Sequence, residues 1–297
     1  MEVIHMKVVI AVDGSKHAED AARFLAKLPH GEHLELNIVA VNYAPGIHST
    51  VEIIGSTENY LNASRAQLDA TCKKIKAMFD GADATVKTTI LDGHPGETLA
   101  NLASGKEVDL LVIGAVGHST FDRILIGSVS DFVATHATCS VLVVRPGLAD
   151  TFAHQKRFNV CYAYDDSRPS KNAIDTLGRF LWQPNTDIDV VSVIRSAQIY
   201  SDIPITLDTS ALRARAMEEI ERGAKLASIV SASPATHIVE SDHVGDGIVK
   251  FATKQKSDLV LLGDTGRGIV SRFFLGSVSR YVLRHAPCSV WIGRNRS

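Results

Sequence analysis

Gly114, Gly117, Gly127 and Ser128 follow one another with the spacing G-x2-G-x9-G-S, and Gly263, Gly266, Gly276 and Ser277 repeat it about 149 residues further on. Each copy follows a short, largely apolar run, Val108–Ile113 or Asp258–Leu262, and leads into a helix-like stretch and a second apolar run. The chemistry this permits is anion binding. Glycines let a loop bend tightly and bring its backbone against a ligand with no Cβ in the way. A Gly-Ser pair opening a helix adds unsatisfied N–H groups, the positive end of the helix dipole and a hydroxyl donor, all suited to phosphate. Taken singly, a Gly-x2-Gly more often just turns the chain, and a serine at a helix start more often caps it. Recurrence of the whole arrangement, with Asp13 or Asp165 closing an earlier apolar run of each half, favours a duplicated nucleotide site.

The elements that must position these residues also come in pairs. Lys7–Val12 and Phe158–Tyr164 read as strands, and each ends at an aspartate with Ser15 or Ser167 two residues on, ready to cap a helix. The following stretches show apolar residues at helical spacing: Ala18, Ala21, Ala22, Leu25 and Leu28, then Ala173, Ile174, Leu177 and Leu181. Second strands are expected at 36–41 and 188–193, long helices at 57–79 and 209–230, third strands at 85–90 and 236–240. Short helices at 96–104 and 245–256 then lead to the glycine motifs, with last strands at 140–144 and 289–292. Strands alternating with helices imply βαβ units. The predicted fold is α/β: two similar doubly wound domains, each a five-stranded parallel sheet in the order 3-2-1-4-5 flanked by helices. Residues 1–150 and 151–297 form the two domains, with 146–151 (Pro-Gly-Leu-Ala-Asp-Thr) as linker. In such a sheet the ligand crevice lies at the carboxyl ends of strands 1 and 4, where strand order reverses.

Composition narrows the function classes. With 31 Lys and Arg against 33 Asp and Glu, no global field draws in nucleic acid or an anionic membrane. No apolar run approaches the roughly 18 residues of a membrane span, and Met1–Lys7 lacks the regions of a secretory leader, so a cytoplasmic protein is expected. Cys72, Cys139, Cys161 and Cys288 form no CxxC pair and read as buried, inert thiols. Twelve histidines include no ligand-spaced cluster, and His136 and His285 stand at matched helix ends, where they suit the dipole better than a metal. Neither G-x4-G-K-[ST] nor a G-x-G-x-x-G after the first strand occurs, which excludes P-loop and dinucleotide readings at the motif level. Nothing in the spacing points to a nucleophilic triad.

At the twin glycine motifs, and at Val12-Asp13-Gly14-Ser15, Gly127-Ser128-Val129-Ser130 and Gly276-Ser277-Val278-Ser279, the chain resembles the universal stress protein family in its tandem form, and its ATP-binding subgroup in particular. The resemblance spans the whole chain. It implies that Asp13 and Asp165 meet adenine, that Ala11 and Ala163 lie beside them, and that backbone groups at Val41 and Val193 contact the base. Gly114, Gly117, Gly263 and Gly266 would line ribose and phosphates, with Arg267 and its weaker counterpart His118 reaching phosphate. Gly127, Ser128, Val129 and Ser130, with Gly276, Ser277, Val278 and Ser279, would hold the phosphate tail. ATP, accompanied by Mg2+, is the implied ligand, with no metal site of the protein's own. The last strands would join the halves as a pseudo-dimer, homodimerisation and unidentified protein partners would follow, and any hydrolysis would be slow.

The halves differ. Asp264 places a carboxylate within the second loop, Asp166 stands where the first half has Gly14, Tyr164 replaces Val12, and Gly93-His94-Pro95 has no match in Asp242-His243-Val244. Unequal sites are therefore expected, with the first the safer. A nucleotide-free interaction scaffold, in which the glycines serve only the fold, is the alternative; an ATP-using transferase lacks a visible acceptor site.

Overall fold

The computed structural model describes residues 5–43, 54–105, 107–116, 126–154, 157–182, 186–195, 209–266 and 275–294. Gly117, His118 and Arg267, with most of the variable stretches after the second strands, lie outside these residues. The first half runs β1 (His5–Val12), α1 (Lys16–Lys27), β2 (His33–Asn42), α2 (Ile54–Lys76), β3 (Ala84–Asp92), α3 (Pro95–Ala103), β4 (Leu110–Gly114), α4 (Ser128–His136) and β5 (Ser140–Val144). After α5 (Leu148–His154) the second half repeats the plan: β6 (Phe158–Ala163), α6 (Arg168–Leu177), β7 (Thr186–Arg195), α7 (Thr209–Ala227), β8 (Ala235–Ser241), α8 (Val244–Gln255), β9 (Leu259–Gly263), α9 (Ser277–His285) and β10 (Ser289–Gly293).

Each half has the expected order 3-2-1-4-5 with parallel neighbours. Valine, isoleucine and leucine fill β4, β5, β9 and β10, whose residues are all buried because helices cover both faces. The pleat divides each strand between two cores. Val8, Ile10 and Val12 face the α1 side, while Val9 and Ala11 face the α3 side with Val39, Leu99 and Ile113. That second face, at the strands' carboxyl ends, is where a ligand crevice can open.

The halves share one sheet. β5 and β10 pair antiparallel, with Leu142 opposite Trp291 at the centre and Val141 and Val143 opposite Ile292 and Val290 on either side. Both strands are apolar throughout, so leaving either as an edge would expose a ready template for pairing; the other half covers it. The stretch expected as linker does join the halves, but from Leu148 on it is helical. Pro146 and the left-handed Gly147 (φ +89°) do break the chain, but Leu148, Ala149 and Phe152 form an apolar stripe that buries as α5. Phe152 packs edge-on against Phe24 and Phe158 at ring separations of 5.5 and 5.2 Å, which docks α5 onto α1. The turn residues masked a short helical stripe that only tertiary burial reveals.

Candidate functional site

A cavity of about 320 Å³ opens at the carboxyl ends of β1 and β4 in the first half, and one of about 240 Å³ at those of β6 and β9 in the second. The first brings together Ala11, Asp13, Val41, Gly114, Gly127, Ser128 and Val129, and the second Ala163, Asp165, Val193, Gly263, Gly266, Gly276, Ser277, Val278 and Ser279. These come from strands and a helix far apart in sequence, so strand order alone juxtaposes them.

At the mouth, the aspartates fold back on the chain. Asp13 Oδ1 accepts the Ser15 N–H at 2.9 Å and Asp165 Oδ1 the Ser167 N–H at 3.1 Å, while Ser15 and Ser167 cap α1 and α6. This fixes each carboxylate at the rim of its cavity. At the opposite end, Gly127 and Gly276 occupy the N-cap positions of α4 and α9 and offer no side chain to satisfy the first-turn amides. No cap side chain satisfies those N–H groups, and with the helix dipole they suit negative charge. The caps are themselves anchored: Gly127 N–H donates to the Ala115 carbonyl at 2.7 Å and Gly276 N–H to that of Asp264 at 2.8 Å.

Two sets of contacts give motif residues a second, structural part. The hydroxyls of Ser130 and Ser279 are buried and donate to the carbonyls of Gly114 and Gly263, each at 2.7 Å. A proton so committed is not available to phosphate; the serines tie helix start to strand end, and only their backbone amides remain as donors. Gly114 and Gly263 also serve another surface. A Cβ on Gly114 would lie 3.0 Å from the His17 carbonyl carbon in α1, and one on Gly263 2.7 Å from Pro169 C and Ser170 N in α6. The missing methyl admits a helix backbone. Accordingly, Gly263→Ala is expected to lower the unfolding free energy by about 1–3 kcal/mol with no nucleotide present, read by urea denaturation; an unchanged midpoint would return this glycine to a ligand role.

The comparisons with known proteins show the family and the fold. The universal stress protein family model matches residues 5–145 and again 156–294. The chain belongs to the universal stress protein family. A universal stress protein of Mycobacterium tuberculosis is 26% identical over 295 residues, covering 97% of this chain and 96% of the relative. One from Methanocaldococcus jannaschii is 31% identical over 145 residues, 48% of this chain and 84% of its own. The crystal structure of a universal stress protein from Archaeoglobus fulgidus superposes with a TM-score of 0.65 at 17% identity over 97% of this chain and 96% of that one, which shows the shared two-domain α/β fold.

Within this universal stress protein, the second pocket has been rebuilt. Asp166 takes the left-handed φ of +60° where Gly14 has +82°. Its carboxylate accepts the Tyr164 hydroxyl at 2.7 Å and pairs with Lys171 at 2.8 Å and Arg222 at 3.0 Å. Tyr164 reaches the rim, yet its ring packs over Gly223 of α7, where a Cβ would stand 2.7 Å from it, rather than filling the cavity. The bulk expected beside the ligand is thus moved to the opposite face, and Asp166 latches the β6–α6 turn to α7. Arg222, offset in part by burial, then Lys171 and Tyr164, hold the Asp166 carboxyl below the usual carboxylate range. A depressed native pKa contributes stability that is complete above the unfolded value, about 3.9, and is lost as pH falls towards the native one. The stability gap between wild type and Asp166→Asn is therefore expected to be full at pH 7 and to close below about pH 4; urea midpoints across pH 2.5–7, flat in their difference, would refute the latch.

Asp264 does not line the second cavity. Its carboxylate turns from the cavity to the buried Arg294, with Oδ2 3.3 Å from Nε. The lining residues Val39, Leu99 and Ile113, and Val191, Ile248 and Leu262 opposite, escaped the motif search. Their one signal is parity: Val39 shares a pleat face with Val41, so the alternation could have marked it. The cysteines behave as expected where buried, namely Cys72, Cys139 and Cys161; Cys288 is partly exposed, but burial of its thiol pushes the pKa up to about 12 and keeps it protonated. His136 and His285 hydrogen-bond the Phe132 and Tyr281 carbonyls of their own helices at 2.8 Å. Among the described residues no cluster of three metal-ligating side chains occurs, and no helix is long and apolar enough to cross a membrane.

Proposed function

We propose that this protein binds ATP in one or both pockets and acts as a nucleotide-dependent regulator in a stress response, its two domains being residues 1–150 and 151–297. The observation that carries this reading is the repeated pairing of an apolar cavity with a glycine-capped helix N-terminus. A purine base suits the aliphatic walls around Val39, Val41, Leu99 and Ile113, and a phosphate tail suits the uncapped amides of α4. In the second pocket Val191, Val193 and Ile248 stand in for the walls and α9 supplies the amides. Asp13 and Asp165, which line the two cavities, would accept a hydrogen bond from an exocyclic amine of the base. Mg2+ would arrive with the phosphates. The larger first cavity supports stronger binding there than in the second.

The nucleotide-free scaffold is the second reading, and it has one observation in its favour: Gly114 and Gly263 are required by helix packing whether or not a ligand binds. Mass spectrometry of small molecules released on denaturing freshly purified protein separates the two. ATP at one to two equivalents per chain supports the nucleotide reading. A protein that is both empty as purified and unable to bind added ATP supports the scaffold.

A further inference from the structure

The second pocket is wired into the first half through one buried cation. Arg294, just after β10, is 7% exposed and sends its guanidinium across the junction between halves. It donates from Nη2 to the Ala134 carbonyl at 2.6 Å and from Nη1 to the Cys139 carbonyl at 3.4 Å, while its N–H donates to Ser140 Oγ at 3.1 Å. Ala134 lies in the last turn of α4, whose first turn faces the first cavity, so a cation there opposes the negative end of that helix dipole. The same guanidinium holds Asp264, and Asp264 in turn holds the second pocket: its carbonyl accepts the N–H of Gly276, the cap of α9. Arg145 makes the mirror-image contacts, to the Leu283 and Cys288 carbonyls at 3.2 and 3.1 Å, but the residue matching Asp264 in the first loop is Ala115. Only the second loop carries a carboxylate at this position.

We propose that the Asp264–Arg294 pair couples the two pockets negatively, an inference that rests on the nucleotide reading. A polyanion seated on α9 raises the negative potential around Arg294 in a region of low dielectric, and draws the guanidinium towards the second loop and away from the Ala134 carbonyl. The C-terminus of α4 then loses its cation, and the phosphate-binding end of the same helix is held less firmly. ATP in the second pocket thus lowers the affinity of the first by about fivefold, and reciprocity requires the same factor in the other direction. Asp264 is a positioning residue in this scheme.

The test is hydrogen exchange on the full chain with the first pocket filled by Val41→Trp, so that added ATP reaches only the second. Exchange of the α4 amides, residues 128–136, is expected to accelerate on ATP addition, and the acceleration is expected to vanish when Asp264→Asn is added, since the amide keeps the shape and removes the charge. Asp264→Ala, which copies Ala115, serves in place of the amide variant if that does not fold. The coupling is overturned if ATP binds and α4 does not respond, or if α4 responds equally without the carboxylate. ATP failing to bind the second pocket of the Val41→Trp chain overturns the coupling too. Failure of ATP to bind wild type at either pocket overturns the nucleotide reading itself.

Discussion

Replacing Arg294 by methionine is expected to lower the unfolding free energy by about 3–5 kcal/mol. The methionine keeps most of the stem volume, so the loss measures the guanidinium rather than a cavity. Three groups lose the guanidinium: the carbonyl of Ala134, the carbonyl of Cys139, and the carboxylate of Asp264, which is only 17% exposed and keeps the Thr265 hydroxyl at 3.2 Å. Burial opposes the charge on Arg294, pulling its pKa down, and Asp264 is the main group pushing it back up. Removing one partner of such a pair costs more than removing both, because the survivor keeps its desolvation penalty with no attraction to offset it. The double variant Arg294→Met with Asp264→Ala is therefore expected to be more stable than Arg294→Met alone. Urea denaturation of the two variants checks both statements; a single variant within 1 kcal/mol of wild type would mean the junction rests on strand pairing and packing alone.

The largest expected effect on binding comes from Val41→Trp, with a loss of ATP affinity at the first pocket of about 100-fold or more, since an indole displaces the base from the cavity rather than weakening one contact. Val41 borders open space at the carboxyl end of β2 and is only partly buried, so the ring has somewhere to go without forcing the β-sheet apart. Val193→Trp is the matching block in the second cavity. By equilibrium dialysis, wild type binding two ATP per chain would fall to one with either substitution and to none with both. Retention of two in the Val41→Trp protein, with its fold intact by circular dichroism, would place the nucleotide elsewhere.

Sequence patterns and three-dimensional packing divided the work along a physical line. Periodicity was sufficient for the alternating strands and helices, because a strand buried on both faces must be apolar throughout and a covering helix must show a stripe at 3.6 residues. It failed at Leu148–His154, where Pro146-Gly147 suggested a loop and the stripe was only three apolar residues long. The described candidate site residues except Ser130 line the two cavities, yet the reasons for individual residues were not readable. Gly114 and Gly263 looked like ligand glycines because the nearest thing along the chain is the loop; the nearest thing in space is the backbone of α1 or α6. For Ser130 and Ser279 the resemblance implied a place on the phosphate tail, and only the folded chain shows the carbonyls of Gly114 and Gly263 that take their hydroxyls.

The sequence by itself determined a duplicated α/β plan and the strand order within each half. Each of these follows from local spacing and the handedness of βαβ crossovers, which are properties of short stretches of chain. The tertiary structure alone decided what the differences between the halves mean. Asp264, Asp166 and Tyr164 read as departures in the second half, and their side chains engage Arg294, Arg222 with Lys171, and Gly223 respectively, Tyr164 still reaching the rim of the cavity. A charge inside a fold is governed by the nearest opposite charge in space, and for Asp264 that partner lies 30 residues further along, on the far side of a helix and a strand.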